Sequence, residues 1–232
     1  MKEFLRKFLM YGAFHILNLL NVTFAFSFFK KIQDKMFYFS PDVFSPHFFV
    51  FSSTFFIKHM YIPRGAKVLD IGTGSGILSI FAAEKAQKVV ATDISPNAIQ
   101  NARINIKLNN LNHKIELRLG NLFRPITERF DTILFNPPYY PLKPKTYMEA
   151  AWCGGNNYTV LRNFLRKAKN HLSSTGFIQI SLSSYMHVNF ILKLIQKYRF
   201  QPVLLARKFL FFETIYFYLL IPKELHHGKN TR

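Results

Sequence analysis

The sequence predicts an α/β fold with a mostly parallel sheet, covered by helices on both faces, and one antiparallel strand. Three observations predict it. Short apolar runs at 68–71, 88–93, 115–119 and 130–135 alternate with stretches of helical spacing, the pattern of parallel strands joined by crossover helices. A glycine-rich turn, Asp70, Gly72, Gly74 and Gly76 in the order D-x-G-x-G-x-G, joins the first run to the first helix. Two later runs, 203–207 and 214–220, have no helix between them and therefore pair as a hairpin, which reverses one strand.

Composition bounds the function. A chain of 232 residues holds one substantial domain and an extension. Lys and Arg total 31 against 12 Asp and Glu, a net charge of +19, which attracts RNA, DNA or anionic lipid. The basic residues form no dense run, and an excess of Lys, Asn, Ile and Phe is also what AT-rich coding produces, so a polyanionic partner and a merely solvated surface both stay open. Cys153 is the single cysteine, which excludes an internal disulfide and a cysteine-built zinc site. That suits a reducing, cytoplasmic setting. No metal is expected.

The elements follow in order. Residues 8–29 carry no Asp, Glu, Lys or Arg, with Arg6 and Lys7 before them and Lys30 and Lys31 after. The length would cross a bilayer, which takes ~20 apolar residues. His15, Asn18 and Asn21 nevertheless form a polar stripe, and basic residues at both ends give no orientation. No small-residue cleavage site follows, against a removable signal peptide. Residues 1–40 are expected to be an apolar helical extension packed on the domain or on a partner, with membrane-surface contact as the alternative.

The catalytic domain is placed at 41–221. Pro41 and Pro46 mark a loop or a short strand, and a helix over 52–60 starts near Ser52 and Ser53, hydroxyls that either cap it or sit beside a bound carboxylate. After the strand at 68–71 come a helix over 77–86, the strand 88–93, and a helix capped by Ser95 with Pro96 in its first turn, running to 109. Strands 115–119 and 130–135, a helix over 158–172, a turn ended by Gly176, a strand over 177–182 and a helix over 186–198 precede the hairpin, which KFLFFE joins. Its Phe209 and neighbours to 212 read as core or interface, and His226 and His227, in the basic tail 222–232, as solvated.

The glycine turn is not a dinucleotide fingerprint, because position 77 is Ile77, and no Lys-Ser/Thr pair makes it a Walker loop. Glycines there let backbone approach a ligand, and the helix start favours a carboxylate. Asp93 ends the second strand, where a carboxylate accepts ribose hydroxyls, or alternatively caps the following helix. Asn121, after the third strand, offers an amide oxygen to an adenine amino group, with Leu122 against the ring. Together these features describe a pocket for S-adenosylmethionine (SAM).

Asn136, Pro137, Pro138 and Tyr139 follow the fourth strand and reach the same sheet edge. Methyl transfer to an amide or base amine requires a planar nitrogen to aim its lone pair at the methyl carbon. The Asn136 side-chain oxygen accepts one N–H and the Pro137 carbonyl the other. Paired prolines stiffen the backbone and remove competing donors, and Tyr139 lies against the planar group. Catalysis of this kind is mostly alignment. The alternative is an ordinary Pro-Pro turn.

DIGTGSG, ATDIS and NPPYY resemble the motifs of class I SAM-dependent methyltransferases. With VFSPHFFVFSS, AWCGG at 151–155 and ARKFLFFETIYFY, the chain is similar over about residues 40–221 to the short HemK-like enzymes, which methylate glutamine side chains at N5. The resemblance implies a Rossmann-like, seven-stranded sheet and SAM as methyl donor. It implies that Asp70, Gly72, Gly74 and Gly76 line SAM, that Asp93 takes the ribose and that Ile94 belongs to the same cofactor site. Asn121 and Leu122 then hold the adenine, Asn136 touches both donor and acceptor, and Asn136 to Tyr139 hold the target nitrogen. Asn121 stands where the family commonly has Asp. Residues 1–40 are too short and too apolar for the substrate-recognition domain of longer HemK enzymes. Two substrates follow: a protein amide, such as one in a translation factor, or the exocyclic amine of a nucleic acid base, with Lys143, Lys145, Arg162 and Arg166 holding phosphates.

Overall fold

Strands covered on both faces are mostly apolar, and the centre of this sheet follows that rule apart from buried polar side chains such as Asp70 and Thr132. In the computed structural model, which describes residues 12, 27–41, 43, 50–210 and 213–223, β3 (Lys67–Ile71) is buried at every position after the first. β4 (Lys88–Asp93) and β6 (Phe130–Phe135) flank it in parallel register. β5 (Ile115–Leu119) lies outside β4, and β7 (Leu172–Ser183) outside β6. β8 (Phe200–Leu210) and β9 (Glu213–Pro222) complete a seven-stranded sheet of order β5-β4-β3-β6-β7-β9-β8, in which β9 alone runs against its neighbours. The chain leaves β3 toward β4 and later returns to β6 on the other side of β3. That reversal opens a crevice at the carboxyl ends of β3 and β6, where ligands bind in open α/β sheets.

Helices cover both faces. On one, α1 (Val50–His59), α2 (Ile77–Ala82) and α3 (Pro96–Leu108) build a core from Phe55, Phe56, Ile80, Phe81, Ala102 and Ile106. On the other, α5 (Thr159–Ala168) and α6 (Val188–Lys197) bury Leu161, Phe164, Ile191 and Leu194. The short α4 (Tyr147–Ala150) lies between β6 and α5. Ser95 caps α3 as expected, its hydroxyl accepting from the Ala98 N–H at 3.3 Å, with Pro96 in the first turn. Gln179, buried on β7, accepts from the Tyr61 N–H at 2.7 Å and donates to its carbonyl at 2.8 Å, fixing the chain as it leaves α1.

Several expectations need correction. Residues 28–39 are not helical: β1 (Phe28–Ile32) and β2 (Lys35–Phe39) form an antiparallel hairpin turned at Gln33, whose φ is 54°. The reason is a period of two, with Phe37 and Phe39 fully buried and Met36 outside, and an aromatic content that suits a pleated, half-buried surface. Phe37 stacks on Phe81 of α2 at 6.1 Å, so this part of the extension is docked on the domain. Apart from residue 12, the extension before residue 27 lies outside the described residues, as do residues 211, 212 and the tail from 224, His226 and His227 included. Gly176 does not end a turn but lies inside β7, where Phe130 faces Leu172 and Thr132 faces Phe177; a Cβ there would stand 2.7 Å from the Phe130 carbonyl oxygen. The expected helices over 77–86 and 158–172 end as α-helix at Ala82 and Ala168, tightening afterwards into turns. Among the described residues no helix is long and apolar enough to cross a membrane.

Candidate active site

Four strand ends converge on one cavity of about 390 Å³, a size typical of small-molecule sites. The turn after β3 supplies the first wall. Gly72 and Gly74 take φ of +70° and +57°, and nothing lies within 4 Å of where a Cβ would stand, because that side is the cavity. The Gly72 and Thr73 N–H groups donate to the Thr92 carbonyl at 2.8 and 2.9 Å, and Gly74 N–H donates to Asp93 Oδ2 at 2.9 Å. The turn is thus sewn to the end of β4. Asp93 Oδ1 accepts from the Ser95 N–H at 2.9 Å, and burial raises its carboxyl above the usual range against those bonds. Asp93 therefore faces the cavity in a fixed orientation, while Ser95 does the helix capping.

Two of the expected residues stand behind this wall. Gly76, at φ +85°, packs on α3, where a Cβ would stand 3.3 Å from that of Ala102. Asp70 is fully buried, and its Oδ2 accepts from the hydroxyls of Thr73 at 2.7 Å and Ser79 at 2.6 Å. Burial, opposed by those two bonds, pushes its carboxyl up to about 6. Asp70 shapes the turn from within, while Gly72, Gly74, Asp93, Ile94, Asn121, Leu122 and Asn136 to Tyr139 line the cavity. Leu122 holds a φ of +51°, an uncommon conformation for a non-glycine residue.

The end of β6 brings Asn136 into the centre. Its Oδ1 accepts from the Tyr139 hydroxyl at 2.8 Å and from the hydroxyl of Ser181 on β7. Its Nδ2 donates to Ser52 Oγ at 3.5 Å, so Ser52 stands beside the clamp rather than serving only α1. Burial pushes the Tyr139 phenol well up, keeping it a donor. Tyr139 was expected to lie against the planar group; its ring also packs between the two cores, and its hydroxyl orients Asn136.

The clamp loop has a second support. Tyr140 N–H donates to the Trp152 carbonyl at 2.7 Å, Gly154 N–H to the Tyr140 carbonyl at 2.7 Å and Gly155 N–H to the Leu142 carbonyl at 2.9 Å. AWCGG is therefore laid along NPPYYPL, bridged in parallel at Tyr140 and Cys153. Gly154 is required there, since a Cβ would stand 2.9 Å from the Pro138 carbonyl oxygen. Cys153 is buried there, and burial pushes its thiol up to about 12, which disfavours the nucleophilic thiolate. Past the clamp the cavity continues between Tyr147, Met148, Trp152 and Cys153.

Of the four proposed phosphate-holding residues, Lys143 and Lys145 are exposed beside Pro144 on the cavity wall. Arg162 is engaged with the Asn157 carbonyl at 2.8 Å and lies over Phe190 at 5.3 Å, and Arg166 bonds Asn163. Ser181 was missed from sequence, although alternate polar residues Gln179, Ser181 and Ser183 in a buried strand are a readable signal. Among the described residues no group of three or more His, Cys, Asp and Glu side chains is disposed to hold a metal.

The family model of the methyltransferase small domain matches residues 34–204. A Methanocaldococcus jannaschii protein named for protein N5-glutamine methyltransfer is 38% identical over 150 residues, which are 62% of this chain and 74% of that one. The release factor glutamine methyltransferase of Dictyoglomus turgidum is 35% identical over 144 residues, covering 55% of this chain and only half, 50%, of the relative's length. Among solved structures, the T. thermophilus 16S rRNA N2 G1207 methyltransferase, in complex with AdoMet and guanosine, superposes with a TM-score of 0.63 at 20% identity over 86% of this chain and 50% of that one. The family match runs from β2 into β8 and takes in every strand end that borders the cavity, so the chain belongs to the methyltransferase small domain family and is a SAM-dependent methyltransferase.

Proposed function

We propose that the chain transfers a methyl group from SAM to the side-chain amide nitrogen of a glutamine in a protein, with a translation factor or ribosomal protein as the acceptor. Asn136 is the observation that carries the nitrogen assignment: a carboxamide oxygen held by two hydroxyls at the centre of a cavity whose other end opens beyond the clamp. The two glutamine methyltransferase relatives support the amide over a base amine.

SAM supplies a methyl carbon on a positively charged sulfur. The chain's residues align a weak nucleophile with it. Gly72 and Gly74 leave room for the amino-acid tail. Each Asp93 oxygen takes one backbone N–H and keeps a lone pair for a ribose hydroxyl. Ile94 and Leu122 flank the adenine, and Asn121 accepts from its amino group. On the acceptor side, the Tyr139 and Ser181 hydroxyls also stand 3.0 Å apart, so that one donates to the other and leaves Asn136 Oδ1 a lone pair for one N–H of the target NH2, while the Pro137 carbonyl accepts the other. Holding both hydrogens back turns the nitrogen lone pair toward the methyl, and the proton is released once the nitrogen is methylated. The contribution is positioning and fixed dipoles.

A base amine is the second reading, favoured by the net charge of +19 and by Lys143 and Lys145 at the cavity edge. Incubation with methyl-labelled SAM and cell extract separates the two. Label in precipitate that resists nuclease and is released by protease supports the protein acceptor. Label released by nuclease overturns it.

A further inference from the structure

A β-strand at the edge of a two-stranded hairpin leaves a row of backbone N–H and C=O groups without partners. In this protein a helix supplies them. Asn101 and Asn105 of α3 and Asn109 at its C-cap recur every fourth residue along one face. Four residues of helix rise ~6 Å, close to the ~7 Å that separates alternate residues of a strand. The three carboxamides therefore meet Met36, Tyr38 and Ser40 in turn. Met36 N–H donates to Asn109 Oδ1 at 3.2 Å, Tyr38 N–H to Asn105 Oδ1 at 2.6 Å, and Ser40 N–H to Asn101 Oδ1 at 2.9 Å. In return Asn101 and Asn105 donate to the Tyr38 carbonyl at 2.7 and 2.9 Å, and Asn109 donates to the Met36 carbonyl at 2.8 Å.

Asn105 differs from the other two. Its second N–H donates to the Ser75 carbonyl at 2.8 Å, inside the glycine turn, and its side chain is fully buried. One carboxamide thus joins the hairpin to the turn that walls the cavity. Beyond the hairpin, Val43 and then Ser52 and Ser53 lie on the same cavity.

We propose that Asn105 is a positioning residue that couples docking of the β1–β2 hairpin to binding of the methyl donor. The hairpin, held at Tyr38, fixes Asn105; Asn105 fixes the Ser75 carbonyl and with it the backbone of the turn; the donor reads that backbone. The coupling is reciprocal, so the donor in turn tightens the hairpin. It rests on the reading that this cavity takes SAM.

Calorimetric titration of the full chain with SAM tests it on three proteins: wild type, Asn105→Ala and Asn109→Ala. Asn109 holds the hairpin but makes no bond to the turn. Asn105→Ala is expected to weaken SAM binding by roughly tenfold or more, and Asn109→Ala by less than about twofold, within the range of measured couplings. Hydrogen exchange on the wild-type protein supplies a second readout that does not depend on a variant folding. Saturating SAM is expected to slow exchange of the Tyr38 and Ser40 N–H groups, which donate to Asn105 and Asn101 of the ladder. Equal effects of the two substitutions, or hairpin exchange unmoved by SAM, overturn the coupling. A wild-type chain that takes up no SAM overturns the cavity assignment itself and the coupling with it.

Discussion

Asn136 acts through an oxygen that Tyr139 and Ser181 hold in one orientation. The Asn was legible from its place after a strand and before two prolines; for its holder on β7 the alternation of Gln179, Ser181 and Ser183 marks a polar face of a buried strand but does not name the partner 45 residues away. Ser181→Ala removes one of the two donors and frees the carboxamide to turn. Turnover is expected to fall about tenfold with the SAM dissociation constant within about twofold, since misalignment costs rate rather than donor affinity. Unchanged turnover would show that Tyr139 alone suffices. Asp70 makes a different prediction. Its carboxyl is raised from 3.8 to about 6, with burial the main cause. A proton on Asp70 therefore favours the folded chain. Its contribution is complete below about 3.8, declines as pH rises, and is gone above about 6. The span is worth roughly 3 kcal/mol. Asp93 shifts in the same direction. Urea unfolding of wild type and Asp70→Asn at pH 4.5 and 7.5 checks this. The wild type is expected to lose stability relative to the variant at the higher pH; parallel behaviour would contradict it.

Elements were legible where burial is two-sided. β3, β4 and β6 are mostly apolar, buried runs, and their bounds follow from the sequence within a residue. The hairpin of β1 and β2 was not, because the alternation that marks it is confined to the five residues Lys35–Phe39, and the partner that holds it is the asparagine ladder of α3. AWCGG was legible only as a resemblance. Its physical role is to lie against the clamp, and Gly154 is the point of closest approach, 2.9 Å from a Cβ to the Pro138 carbonyl oxygen. Backbone must shift to accept a methyl there, at a cost of about 1–3 kcal/mol. Gly154→Ala is expected to cut methyl transfer by about tenfold or more while thermal unfolding shows a folded chain. Full activity would mean that the ladder between Tyr140 and Trp152 does not set the clamp.

At the scale of the whole molecule, the order β5-β4-β3-β6-β7-β9-β8 puts the glycine turn, Asp93, Asn121 and Asn136 at one sheet edge. Residues 15 to 64 positions apart in sequence, from Asn121 and Asn136 to Gly72 and Asn136, meet there because consecutive parallel strands end on the same side. That convergence was legible from the alternation of strands and helices. The identity of the acceptor was not, because the cavity beyond the clamp is bounded by loops whose positions depend on contacts such as Tyr140 with Trp152. The relatives point to glutamine, and the charge of +19 to a polyanion. One measurement decides most directly. Protein labelled by this chain with methyl-labelled SAM is digested to free amino acids with peptidases, which spare the amide, and the labelled product is identified by mass spectrometry. N5-methylglutamine, absent when Asn136→Ala replaces the wild type, is the predicted result. Label on a methylated base, or N5-methylglutamine formed equally by Asn136→Ala, would contradict the account.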